Sequence, residues 1–278
     1  MRLSKLILGS IVFLATLTSA AETTPRIGAR PDSTTFSTDL SNLWWNPLES
    51  GWGINIIQQS QTLFVTMFVY DSAGKPTWYV GSDVEYSSVD SLGGYIFTGT
   101  LYQTTGSYFG APIFNPAQTV ATPVGTITLR FASYTTGTLT YTVNGITVNK
   151  NIVPQTWLIN NLSGNYVGSM VTAAGSTACL LPLVQPGGQL QFHITQSIAN
   201  SNIQVTDPTG AQCTLTGTIT QYGKLSDING TYTCTGGGSG TFGLRRLEAG
   251  IDGISGAYFS FSPSCSTSVA TLGAARGP

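Results

Sequence analysis

Nowhere in this chain do apolar residues recur every three or four positions for long enough to make a persuasive helix. Short runs that alternate apolar with polar residues recur instead, parted by Gly, Pro, Asn and Asp. A run with a period of two can bury its apolar side only as one face of a β-sheet. The sequence therefore predicts an all-β protein.

The individual runs can be placed. Strands are predicted at about 51–58, 62–70, 77–84, 94–102, 124–131, 138–143 and 146–153, with a long loop at 103–123. The second half predicts 164–171, 189–195, 203–206, 212–220, 228–234, 240–247 and 253–261. Asn144-Gly145, set between Val143 and Ile146, is a strong hairpin signal, because both residues accept the positive φ of a type I′ turn. The run Thr62–Tyr70 is apolar on both faces: Leu63, Val65, Met67 and Val69 on one, Phe64, Phe68 and Tyr70 on the other. Such a strand is covered on both sides, or lies in a barrel with an aromatic interior.

An echo of apolar-x-Gly-x-Tyr recurs at Leu162–Tyr166, Ile228–Tyr232 and Ile254–Tyr258. Glycine within a strand permits sharp coiling, so the echo favours two antiparallel meanders closed into small β-barrels, with β-sandwiches as the alternative. Closure also removes free edges, which a chain with only 8% charged residues would otherwise leave bare. The expected organisation is a first β-domain at 41–158 and a second at 159–278.

Residues 1–21 carry Arg2 and Lys5, then a short apolar run and small residues at Ser19-Ala20-Ala21, the layout of a secretory signal peptide. Residues 22–40 read as a flexible leader. The expected location is the periplasm or beyond, with no membrane span in the mature chain. Eleven basic residues against 12 acidic ones leave no basic patch, so nucleic-acid binding lacks its electrostatic footprint.

All four cysteines lie in the second half. In an exported chain an even number reads as disulfides. Cys213 and Cys234 flank a hairpin turn near Tyr222-Gly223-Lys224, so the preferred pairing is Cys213–Cys234 with Cys179–Cys265, one of three connectivities that four cysteines allow. No CxxC spacing exists, and His193 is the lone histidine, so no metal site or cofactor is expected. His193 alternates with Phe192 and Ile194 and reads as a solvated strand residue.

Four of the five tryptophans lie between Leu43 and Tyr79, where the run Trp44-Trp45-Asn46-Pro47-Leu48-Glu49-Ser50-Gly51-Trp52-Gly53 is the most distinctive in the chain. Two readings stand. In the plainer one the tryptophans plug a barrel end and Glu49 accepts backbone N–H groups of the Asn-Pro turn. In the other, Trp45, Trp52 and Trp78 form a platform on which sugars stack, with Glu49, Asn55 and Tyr70 as polar contacts.

The motif WWNPxESGWGxN at Trp44–Asn55, YDxxGxPxWY at Tyr70–Tyr79 and GTLYxTTG at Gly99–Gly106 together resemble a recurrent β-domain of exported Gram-negative bacterial proteins. The resemblance covers about residues 41–157, and the cysteine-containing second half resembles a companion domain. It implies export and β structure, and it carries over no catalytic residues.

The functional expectation is a non-catalytic binding module for a saccharide or small amphipathic molecule. The alternative is a structural or surface-assembly protein whose aromatics are all core, with a surface protein as partner. A third reading, a hydrolase pairing Glu49 with Asp71 or Asp83, needs a carboxylate separation that sequence does not supply. No Gly-x-Ser-x-Gly elbow is present, and Thr235–Gly240 is a glycine-rich hairpin loop and not a phosphate cradle.

Overall fold

The computed structural model describes residues 39–172, 181–183, 188–262 and 265–277. They form two closed antiparallel barrels of eight strands each. The first comprises β1 (Asn42–Trp45), β2 (Gly53–Gln59), β3 (Thr62–Tyr70), β4 (Pro76–Val89), β5 (Tyr95–Thr105), β6 (Val120–Ser133), β7 (Thr136–Val143) and β8 (Ile146–Pro154). The second comprises β9 (Gly164–Thr172), β10 (Leu190–Ser197), β11 (Asn200–Thr206), β12 (Gln212–Tyr222), β13 (Leu225–Cys234), β14 (Ser239–Ala249), β15 (Gly253–Ser262) and β16 (Cys265–Arg276). Each strand pairs with the next, and β8 returns to β1 as β16 returns to β9. The folds are thus barrels and not sandwiches. Among the described residues the one helical element is a 3₁₀ turn, Pro116–Gln118.

The interior of the first barrel corrects the reading of Thr62–Tyr70. Leu63, Val65 and Met67 point inward and are fully buried, while Phe64, Phe68 and Tyr70 point outward and stay exposed. The strand is neither covered on both faces nor aromatic inside. An eight-stranded barrel is only wide enough for its own side chains, and here most of them are aliphatic. Three rings are fully buried among them. Trp44 lies 4.9 Å from Phe131, and Phe131 lies 6.1 Å edge-on to Phe97. The Asn144-Gly145 turn has the expected positive φ at both residues, 50° and 80°.

In the second barrel Tyr166, Tyr232 and Tyr258, the tyrosines of the repeated motif, all turn inward. Their glycines let the wall coil. Gly217 stands opposite Gly230, and a Cβ on Gly230 would come within 1.9 Å of the Thr216 carbonyl oxygen. The interior leaves only about 10 Å³ for the centre of a water-sized molecule, lined by apolar side chains and Tyr258. That is room for one water at most. Burial pushes the Tyr258 phenol well above its usual range.

Cys213 and Cys234 face each other across β12 and β13, with Cα atoms 4.0 Å apart, and are joined as a disulfide. The Cys179–Cys265 pairing lies outside the described residues, since Cys179 is not among them. The two barrels touch: the Tyr134 hydroxyl reaches both carboxylate oxygens of Asp227 at 2.8 Å, and Tyr134 meets Tyr222 edge-on. Burial, then the Asp227 carboxylate, holds the Tyr134 phenol in its protonated, donating form.

Candidate functional site

In a meander barrel alternate connections share an end. The β1–β2, β3–β4, β5–β6 and β7–β8 connections of the first barrel therefore lie together, and the tryptophan motif folds over that end.

The motif does not act as one cluster. Trp44 is core, 1% exposed, and its indole N–H donates to the Leu40 carbonyl at 2.9 Å. The Asn-Pro turn is closed by its own groups: the Glu49 N–H donates to the Asn46 carbonyl at 3.0 Å, and the Asn46 side-chain oxygen accepts the Leu48 N–H at 2.9 Å. Glu49 is thus not the acceptor for that turn, because the Asn46 amide already sits there. Its carboxylate instead accepts the Trp52 indole N–H at 3.1 Å and meets the Lys150 ammonium at 2.7 Å. Lys150 hydrogen-bonds and charges the site so that the Glu49 carboxyl lies below its ordinary range. The pair is half exposed, so solvent screens it and it contributes little stability. Trp52, Val69, Tyr79 and Tyr141 pack on the core just inside this mouth. Burial raises the Tyr141 phenol, against the pull of Lys150.

The other predicted site residues lie outside the barrel. Trp45 stands level with Val153 of β8, and because Trp44 pairs with Ile54, Trp45 comes alongside Gly53. Gly53 pairs with Phe68, and Phe68 pairs with Trp78. One row therefore runs Trp45, Gly53, Phe68, Trp78 across β1 to β4. With strands about 5 Å apart, its two tryptophans are separated by about 14 Å. Gly53 is where the row needs no side chain: a Cβ there would sit 2.7 Å from the Phe68 ring, so that ring lies across the glycine. Phe68 is 41% and Trp78 49% exposed. Asn55, opposite Thr66, occupies the next row, and Tyr70 ends β3 at the rim. Asn55 and Glu49 do not converge, since Asn55 points outward and the Glu49 carboxylate lies against Trp52 and Lys150.

The expected trio of Trp45, Trp52 and Trp78 is therefore split by the barrel wall. Trp52 is at the mouth, and Trp45 and Trp78 are outside. The residues the sequence reading missed are Phe68, which completes the outer row, and Lys150, which holds Glu49. Both carried a signal. Lys150 shares parity with Val148 and Ile152, and Phe68 shares parity with Tyr70, so each face could have been read from alternation once the barrel's inside was known.

The remaining candidates are committed elsewhere. One carboxylate oxygen of Asp71 accepts the Ala73 and Lys75 N–H groups of its own turn. Asp83 lies on β4, exposed. His193 is exposed on β10 and sits 2.7 Å from the Asn165 side-chain oxygen. Among the described residues no three His, Cys, Asp or Glu side chains come close enough to hold a metal ion. No helix among them is long and apolar enough to cross a membrane. Compared with known proteins, the chain matches no family model and no curated protein.

Proposed function

We propose that this protein is an exported, non-catalytic binding module whose first barrel holds a neutral saccharide against the row Trp45, Phe68 and Trp78. The observation that carries the reading is the exposure of Phe68 and Trp78, with Trp45 partly exposed in the same row, on an outer wall whose interior is already filled. Flat, half-exposed indole and phenyl faces suit the C–H faces of pyranose rings, and the neighbouring Asn55 and Thr66 supply hydrogen bonds to hydroxyl groups. Neither row carries a charged side chain, which favours a neutral ligand over an acidic one. Export rests on the leader-like residues 1–21 and on the Cys213–Cys234 disulfide, which belongs in an oxidising compartment.

The structural reading fits Trp44, but Phe68 and Trp78 stay 41% and 49% exposed, more than a core role needs. The hydrolase reading asks Glu49 to be a proton donor or nucleophile. A carboxylate kept ionised by Lys150 is a poor proton donor, and one of the two Asp71 oxygens is taken by its turn.

The test is a thermal-shift screen of the oxidised protein against neutral and acidic oligosaccharides. A neutral glycan at a hundred times its dissociation constant raises stability by about 2.7 kcal/mol. A shift only with acidic glycans, or none across the panel, contradicts the reading.

A further inference from the structure

The loop end of the first barrel carries a second feature. Strands β5 and β6 outrun β7 and β8, whose turn closes just past Val143 and Ile146. The pairing of β6 to β7 ends at Gly125 with Val143 and that of β5 to β4 at Tyr102 with Val80, yet β5 and β6 stay paired out to Thr105 and Val120. Residues 103–122 thus form a two-stranded arm that rises past β7 and β8, beside the β3–β4 hairpin. Its tip is apolar and bare: Phe109 is 94% exposed and Ile113 85%, with Tyr108 and Phe114 beside them. Two other connections at the same end add Leu48, 93% exposed, and Ile146.

The tip has an ordered backbone. The Ala111 N–H donates to the Tyr108 carbonyl, the Asn115 N–H donates to the Ser107 hydroxyl at 3.2 Å, and the Asn115 side-chain oxygen caps the Ala117 N–H at 3.0 Å. Backbone groups satisfied in this way lower the cost of leaving water. From residue 91 to residue 129 the chain contains no Asp, Glu, Lys or Arg. Just below the tips, on the outer wall, lie Trp45, Tyr70 and Trp78.

We propose that this end docks on a lipid surface, with the tip of the β5–β6 arm entering the interface and Leu48 and Ile146 beside it. Apolar tips above a belt of Trp and Tyr match the order of environments at a bilayer boundary, where aromatic rings sit at headgroup level. The arm itself is uncharged, and the acids and bases elsewhere at this end balance, Glu49 with Lys150 and Asp71 with Lys75, which fits a neutral, zwitterionic lipid surface and gains little from anionic lipid. The barrel docks by its end and does not span. A spanning barrel needs an apolar belt right round, whereas β6 to β8 turn Thr and Asn outward.

The test is flotation of the full chain with phosphatidylcholine vesicles, alongside a Phe109→Asp/Ile113→Asp double variant. Both side chains are solvent-exposed, and an unchanged thermal midpoint confirms that the variant folds. The expected result is vesicle binding that falls by more than about tenfold in the double variant. It also persists at 1 M salt, where the screening length is about 3 Å. Failure to float, flotation equal in the two proteins, or flotation abolished by salt overturns the proposal. A dimer in sedimentation that the same double substitution dissolves also overturns it, by assigning the rim to a second copy. These substitutions leave Asn55, Phe68 and Trp78 in place, so the outcome is separable from that of the saccharide screen.

Discussion

The outer wall of the first barrel has two unlike sides over a common interior. On β2 to β4 it shows Phe64, Phe68, Tyr70 and Trp78. On β6 to β8 it shows threonine and asparagine, tied across strands: Thr140 donates to the Asn149 side-chain oxygen at 2.7 Å, and Thr142 meets Thr147 at 2.9 Å. Beneath both sides lie fully buried aliphatic residues, Leu63, Val65 and Met67 on one, Ile127, Leu129 and Leu139 on the other. The hydroxyl side covers the same kind of interior with no ring on its surface. The aromatic side exposes rings that the hydroxyl side does without, and their cost in solubility asks for a use.

The largest expected effect tests the common interior. Met67→Ala and Leu129→Ala each cost about 2–5 kcal/mol, measured by urea unfolding. A much smaller cost on the aromatic side would break the comparison. Next comes the outer row. Trp78→Ala weakens saccharide binding about tenfold or more, equal to about 1.4 kcal/mol, read by calorimetric titration. A charged contact on the hydroxyl side gives a pH signature. Arg130, through its hydrogen bond to Asp90, and then the Gly94 N–H hold the Asp90 carboxyl at about 2, below its ordinary 3.8. A depressed pKa means stability that is present above pH 3.8 and lost as pH falls toward about 2. Urea midpoints followed through that window should drop, and Asp90→Asn should flatten the drop. The smallest effect is Thr140→Val, within about 0.5 kcal/mol and without consequence for binding.

Most of the fold was legible because alternation states which residues share a face. Fourteen of the sixteen strands carry that signal. The two that do not, β1 and β16, are the strands that close the barrels. β1 is four residues long and is dominated by Trp44 and Trp45, next to an Asn-Pro turn. β16 runs through Ala270, Gly273, Ala274 and Ala275, residues with little β preference. Each is held by partners on both sides, so pairing and not local propensity makes it a strand. The site was half legible. Parity sorted Phe64, Phe68 and Tyr70 onto one face, but which face is inside depends on closure. A row that crosses four strands depends on register, and Trp45, Phe68 and Trp78 meet only after β1, β3 and β4 are aligned.

The central claim is that the exposed rings of the aromatic side bind and do not hold the barrel together. The most direct measurement pairs two readings on one variant, Trp78→Ala: urea stability, and titration with the neutral oligosaccharide that shifts the native protein most. The account predicts a stability change of less than about 1 kcal/mol together with loss of binding. A loss of about 3 kcal/mol or more with affinity intact among the folded molecules would contradict it, and would make the aromatic side part of the core after all.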